Sequence, residues 1–139
     1  MKIITRELIV SAGGNCDIKN ISDEVQGIIK TSKLTEGSCN ITSIGSTASV
    51  TTIEYEPALI KDFSKVLDKL IPAYSKYLHN DTWGDNNGHS HLRSSIIGTS
   101  INIPFIKGEL LLGTWQQIII INFDNKKRDR RVAVQLIGI

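Results

Sequence analysis

The sequence predicts an α+β domain with a mostly antiparallel sheet, and three observations carry that expectation. Strand-like segments group at the end of the chain, over 99–103, 116–124 and 130–137. Two helices stand between the earlier strands, which separates this pattern from a regular strand–helix alternation. The run Ile118-Ile119-Ile120-Ile121 is apolar on both faces, so its strand is central or sandwiched.

Residues 2–11 read as a strand rich in Ile, Val and Leu, closed by Ser11-Ala12-Gly13-Gly14-Asn15. Residues 22–33 read as a helix capped by Ser22, with Asp23 and Glu24 at the positive end of its dipole and Gly27 as its weak point. Strands over 38–44 and 47–54 are expected to turn at Gly45-Ser46. Pro57 opens the clearest helix, because its missing N–H has no intrahelical partner at the first position. Leu59, Ile60, Phe63, Val66, Leu67, Leu70 and Ile71 form its apolar stripe, and Pro72 stops it. Residues 77–91 read as a polar loop, Leu92–Ile97 as a short helical turn ended by Gly98, and 109–112 as a brief strand. The charge run Lys126-Lys127-Arg128-Asp129-Arg130-Arg131 reads as a solvated hairpin turn between the last two strands.

The chain has 139 residues, 40% hydrophobic and 22% charged, with a formal net charge of +2. That length suits one domain. The charge is too small to imply a nucleic-acid or membrane partner, and residues 126–131 lack the aromatic or wider basic support of a nucleic-acid site. Cys16 and Cys39 could pair, and two buried thiols in a reducing compartment are the favoured reading. No apolar run approaches the roughly 20 residues that cross a bilayer. No signal-peptide pattern opens the chain, and a cytoplasmic protein is expected.

All three histidines, His79, His89 and His91, fall in the polar stretch 77–91. Imidazole is the commonest metal ligand and titrates near neutral pH. In an extended backbone His89 and His91 point the same way. Zinc needs N, O or S ligands in tetrahedral array, and Glu54 at a strand end is a candidate to join them. A solvated loop with scattered histidines is the competing reading. Ser46, Thr47 and Ser49 after Gly45, and Ser94 with Ser95 beside Arg93, offer hydroxyls and a guanidinium to a phosphate. Gly-Ser turns and half-exposed Ser/Thr strands have the same composition. Trp115, after Gly113-Thr114 and before Gln116, either stacks on a planar ligand or closes the core or a subunit contact. Packing is the favoured reading.

Ser46-Thr47-Ala48-Ser49-Val50-Thr51-Thr52-Ile53-Glu54, His79, His91-Leu92-Arg93-Ser94-Ser95-Ile96-Ile97-Gly98, Pro104 and Gly108-Glu109-Leu110-Leu111-Leu112-Gly113-Thr114-Trp115-Gln116 together resemble the YjbQ-type family. Its members are small proteins often labelled secondary thiamine-phosphate synthases. The similarity spans nearly the whole chain, and its most specific part is G-x-L-x-L-G-T-W-Q. It implies a single YjbQ-like domain over 1–139, an α+β fold of β-sandwich character assembled as a homotrimer with clefts at subunit boundaries. The apolar run 118–121, hard for one small domain to cover twice, points the same way. The resemblance also implies that Glu54, His79, His91, Trp115 and Gln116 gather at the site.

The activity that the resemblance implies is handling of a phosphorylated small molecule, in the manner of the weak coupling of a hydroxymethylpyrimidine diphosphate to a thiazole phosphate with release of pyrophosphate. Glu54, His79, His91 and Arg93 are the expected catalytic set. Ser46, Thr47, Ser49, Ser94, Trp115 and Gln116 are the expected ligand contacts. A divalent metal, zinc first, is assigned to His79, His91 and Glu54. His89 either stands in for the histidine that many members carry where this chain has Gly45 or is incidental. No organic cofactor is expected. The alternative is a non-catalytic trimer that binds a small ligand or metal.

Overall fold

A computed structural model of the protein describes residues 1–139. Its elements run β1 (Lys2–Ala12), β2 (Asp17–Asn20), α1 (Ser22–Ser32), β3 (Glu36–Ile44), β4 (Ala48–Glu54), α2 (Pro57–Leu70), α3 (Leu78–Trp83), α4 (Gly88–Ile97), β5 (Ser100–Ile106), β6 (Glu109–Leu110), β7 (Gln116–Asn122) and β8 (Arg128–Gly138). They build two antiparallel sheets, β1-β8-β3-β5-β6 and β2-β7-β4. The expected α+β class is present.

β7 sets the layering. Ile118 and Ile120 join Val25 and Ile29 of α1, Cys39 and Ile41 of β3, and Val132, Val134 and Leu136 of β8 in the core between the sheets. Ile119 and Ile121 face the other way, onto Leu67 of α2, with Phe63 and Ile97 at the margin. A strand sends alternate side chains to opposite faces, so a run apolar throughout needs a cover on each side. All four isoleucines are 0% exposed in a single chain. The run therefore requires no partner subunit.

α2 begins as expected, with the Glu56 carboxylate accepting the Ala58 and Leu59 N–H groups, each at 2.8 Å. Its apolar stripe is narrower than the sequence implied. Leu67 and Ile71 are buried, but Val66 and Leu70 remain 51% and 71% exposed. Three strands span about 10 Å, roughly one helix diameter, and α4 shares that surface.

Four other expectations are corrected. Ser22 does not cap α1; Asn20 Oδ1 accepts the Ser22 N–H, while the Ser22 hydroxyl accepts the Ile118 N–H. β3 and β4 are not a hairpin, because β3 lies between β8 and β5 while β4 pairs with β7. β7 and β8 are not a hairpin either. Both connections cross between sheets, which lets Ile41, Ala48, Val50, Ile120 and Val132 bury against one another. The crossings lie side by side, with the Phe123 N–H donating to Thr47 O at 2.9 Å. Finally, the histidine stretch holds α3 and the start of α4. Gly88 joins them, since a Cβ there would sit 2.7 Å from Tyr77 Cβ and its N–H donates to Asn80 Oδ1 at 2.9 Å.

Candidate functional site

The two crossings enclose a cleft of about 450 Å³ lined by Gly45, Ser46, Thr47, Asp85, Asn87, His91, Asp124 and Arg128 to Arg131. Its floor is a buried guanidinium. Arg130 is only 7% exposed. Its Nε donates to Asn122 Oδ1 at 3.1 Å, and its Nη2 donates to Thr47 O at 3.1 Å and Thr47 Oγ1 at 2.7 Å. Asn122 is itself held, its Nδ2 donating to Gly13 O and Lys126 O at 2.7 and 2.9 Å. Nη1 alone has no protein acceptor, and it faces Gly45, where a Cβ would lie 3.4 Å away. The φ of +154° at Gly45 also disfavours any side chain there.

Asp124 is 2% exposed and pairs with Arg128, whose Nη2 lies 2.9 Å from Asp124 Oδ2. Burial pushes the Asp124 carboxyl up, but the hydrogen bonds from Arg128 and the Asn125 N–H outweigh it and leave it below its ordinary value. Burial draws Arg130 down, with Asp124 opposing. A guanidinium stays protonated regardless. The cleft thus holds fixed positive charge at its floor and a carboxylate committed to Arg128.

The sequence expectations divide here. His79 and His91 do meet, with ring centroids 4.6 Å apart at 63°. α3 and α4, docked through Gly88, bring them together. His89 does not join them, because residues two apart on a helix face away from each other. The extended H-x-H geometry is corrected accordingly. His89 is 3% exposed on the other side of α4. Ser90 Oγ donates to Phe123 O at 2.6 Å, so at 3.2 Å from Ser90 Oγ it is His89 Nε2 that must carry the proton and donate. Nδ1 is left a bare acceptor with no partner.

Burial, and next the charge of Arg93, hold the His89 imidazole below its ordinary 6.5. The unfolded chain then binds a proton first as pH falls, so this stabilisation is complete above pH 6.5 and is lost as pH drops to the lower folded value. Melting temperature is expected to decline across that window in the wild type. A decline of equal size in His89→Gln would remove His89 as its cause.

Arg93 is not an anion ligand. It is 3% exposed, its Nε and Nη2 donate to Ile71 O at 3.0 and 2.7 Å, and Nη2 pairs with Asp68 at 3.0 Å. It ties the end of α2 to α4, satisfying a carbonyl that the helix terminus leaves open. Ser49 and Ser94 are likewise spent, Ser49 Oγ donating to Ser94 O at 3.3 Å and Ser94 Oγ to Ala48 O at 2.5 Å. Ser46 and Thr47 do line the cleft.

Glu54, Trp115 and Gln116 lie elsewhere. Ala48 and Glu54 are six residue steps apart on β4, roughly 20 Å, and Glu54 pairs in register with Gln116. Within one chain they cannot complete the histidine pair. No three His, Cys, Asp or Glu side chains form a metal-holding group. Two imidazoles are fewer than the three protein ligands of a catalytic zinc, so the donor set of one chain does not fit a resident zinc ion.

Asp124 is a cleft residue that residue type and motif spacing do not single out, and Arg128 and Arg130 read from the sequence as part of a solvated turn. A signal exists in the sequence all the same. Period-two spacing from Val132 back through Arg130 to Arg128 places both guanidiniums on the core-facing side of β8.

Other proteins share this arrangement of strands and helices. The UPF0047 protein YjbQ-like family model matches residues 6–139. A UPF0047 protein of Methanothermobacter thermautotrophicus is 33% identical over 138 residues, 99% of this chain and 94% of that one. One from Archaeoglobus fulgidus is 30% identical over 93% of this chain and 98% of its own. Among solved structures, a YbjQ-like protein of unknown function from Sulfolobus solfataricus superposes with a TM-score of 0.94 at 28% identity, covering 99% of each chain. A hypothetical protein from Aeropyrum pernix does so at 0.91 and 29%, covering 98% of this chain and 99% of its own. The chain belongs to the UPF0047, YjbQ-like family.

Proposed function

We propose that the protein is an enzyme acting on a phosphorylated small molecule in the cleft between the sheet crossings. The observation that carries this reading is Arg130, a buried guanidinium fixed by Asn122 and Thr47 with Nη1 turned toward the open side of Gly45. Taking a guanidinium out of water costs several kcal/mol, roughly, unless it is paired. A phosphate or diphosphate oxygen supplies a partner in the charge-assisted geometry that arginine favours. Arg128 lies on the same wall, and the Ser46 hydroxyl adds a neutral donor, while the Thr47 hydroxyl is engaged by Arg130 and Asp124.

His91 lines this cleft with His79 against it. An imidazole pair beside bound phosphate suits proton transfer to or from a substrate group while Arg130 holds the charge that develops on the leaving phosphate. The pyrimidine–thiazole coupling implied by the family resemblance is one reaction of this class, since it releases pyrophosphate. Zinc enters this reading only if another subunit or the substrate supplies the missing ligands.

The alternative, a non-catalytic small-ligand protein, is separated by two measurements. Calorimetric titration with pyrophosphate should show saturable binding, and the coupling assay should show turnover that falls about 10²–10⁴-fold in His79→Ala and His91→Ala. Binding without turnover across a panel of phosphorylated substrates would favour the alternative. No pyrophosphate binding by wild-type protein would sink the reading of this cleft as a phosphate site.

A homotrimer is part of the same proposal. Its support is the outer face of the five-stranded sheet, where Ile3, Ile9, Ile44, Ile106 and Ile137 are 40% to 71% exposed. Light scattering should report three times the 15.4 kDa chain mass, and a monomer mass at micromolar concentration would rule it out. No helix is long and apolar enough to cross a membrane. Two free cysteines support a reducing compartment such as the cytoplasm.

A further inference from the structure

At the opposite end of β4 and β7 a second cavity opens, of about 490 Å³, with Asn20, Glu54, Tyr55, Glu56, Trp115 and Gln117 among its walls. We propose that it binds a small organic cation, an amine or quaternary ammonium group seated on the face of Trp115 against the Glu54 carboxylate.

Trp115 is 72% exposed, yet the turn that carries it is braced. The Gly113 N–H donates to Gln116 Oε1, the Gln116 N–H donates to Gly113 O, and Gln116 Nε2 donates to Thr52 Oγ1 on β4, each at 3.0 Å. Gln116, expected as a ligand contact, is a brace for this turn. A braced turn fixes the backbone that carries the indole, which lessens the ordering a ligand must impose. The Tyr55 hydroxyl is tied to Ile18 O at 3.4 Å, with its ring 45% exposed beside the cavity.

Glu54 has neither an ion pair nor a hydrogen-bond donor to its side chain, whereas the Glu56 carboxylate is spent on the first turn of α2. No Lys, Arg or His lines this cavity. An aromatic face beside an uncompensated carboxylate, with no positive charge, attracts a cation through the ring quadrupole and the carboxylate together. A phosphate would meet repulsion from Glu54 and no charged donor. Within one chain this site stands apart from the arginine cleft by roughly 20 Å of strand, and it shares no residue with that cleft.

The test uses choline and its uncharged tert-butyl analogue as probes. The chain has two tryptophans, so Trp83→Phe leaves Trp115 as the sole tryptophan reporter under indole-selective excitation. Choline should change that fluorescence saturably. The neutral analogue, and choline with Glu54→Gln added, should each bind about tenfold more weakly. By calorimetry Trp115→Leu should lose choline binding while pyrophosphate binding at the other cleft is unchanged. Equal affinity for the two probes, unchanged binding in Glu54→Gln, or no saturable response to choline would overturn the proposal. So would a fall in oligomer mass in Trp115→Leu, which would make the tryptophan a subunit contact.

Discussion

Arg130→Met is expected to weaken pyrophosphate binding at least about a hundredfold and to cost about 2–4 kcal/mol of folding stability. The two losses have different origins. Binding falls because methionine offers no charged donor to the anion at the cleft floor. Stability falls because Asn122 Oδ1 and Thr47 Oγ1 lose the donors that now reach them from Nε and Nη2. Arg130→Lys separates the effects, since it keeps a positive charge but cannot serve both partners with a planar fork. It should recover part of the affinity. Arg128→Gln should weaken binding several-fold, because Arg128 is 46% exposed and shares its charge with Asp124. Calorimetry on folded variants, with urea melts alongside, reads all of these. Pyrophosphate bound by Arg130→Met as tightly as by the wild type would place the anion site elsewhere.

Leu67→Ala should cost about 2–5 kcal/mol, the range for a leucine truncated inside a packed core. Leu67 is 4% exposed and is the fully seated residue of α2, packed with Ile119, Ile121 and Phe123. Lys65→Ala, on the solvent side, should change stability by no more than about 0.5 kcal/mol. Urea denaturation midpoints compare the pair. Equal losses would mean that α2 does not cover the three-stranded sheet by the face described.

Much of the fold follows from local pattern. The segments assigned to β1, α1, α2, β7 and β8 from periodicity and punctuation agree with the structure to within a few residues. Pro104 is an instructive exception, because the strand continues through it to Ile106. Its carbonyl accepts the Leu111 N–H, so its missing N–H lies on the β6 side, where pairing begins only at Phe105. Two of the short elements leave no such trace. β2 has four residues and α3 six, too few to show a period against a polar background.

The candidate site divides along the same line. Residue type points to His79, His89 and His91 alike, and the structure sets only His79 and His91 ring against ring. Residue type also suggests Arg93, Ser49 and Ser94, all of which the fold consumes in holding α4 to α2 and β4. The same composition serves a phosphate or a helix terminus, and only the partners that packing supplies distinguish the two.

The sequence by itself determined the longer strands, the long helix, the two-faced burial of Ile118–Ile121 and the family, because these depend on spacing along the chain. Tertiary structure decided that the segments at Gly45–Thr47 and 123–127 cross between sheets instead of closing hairpins. That choice rests on the shared burial of β3, β4, β7 and β8 side chains, a non-local gain that no short window contains. It turned a charge run read as solvated into a cleft with Arg130 at its floor. It also parted Glu54 and Trp115 from the histidines by the length of β4, since residues at opposite ends of one extended strand cannot meet.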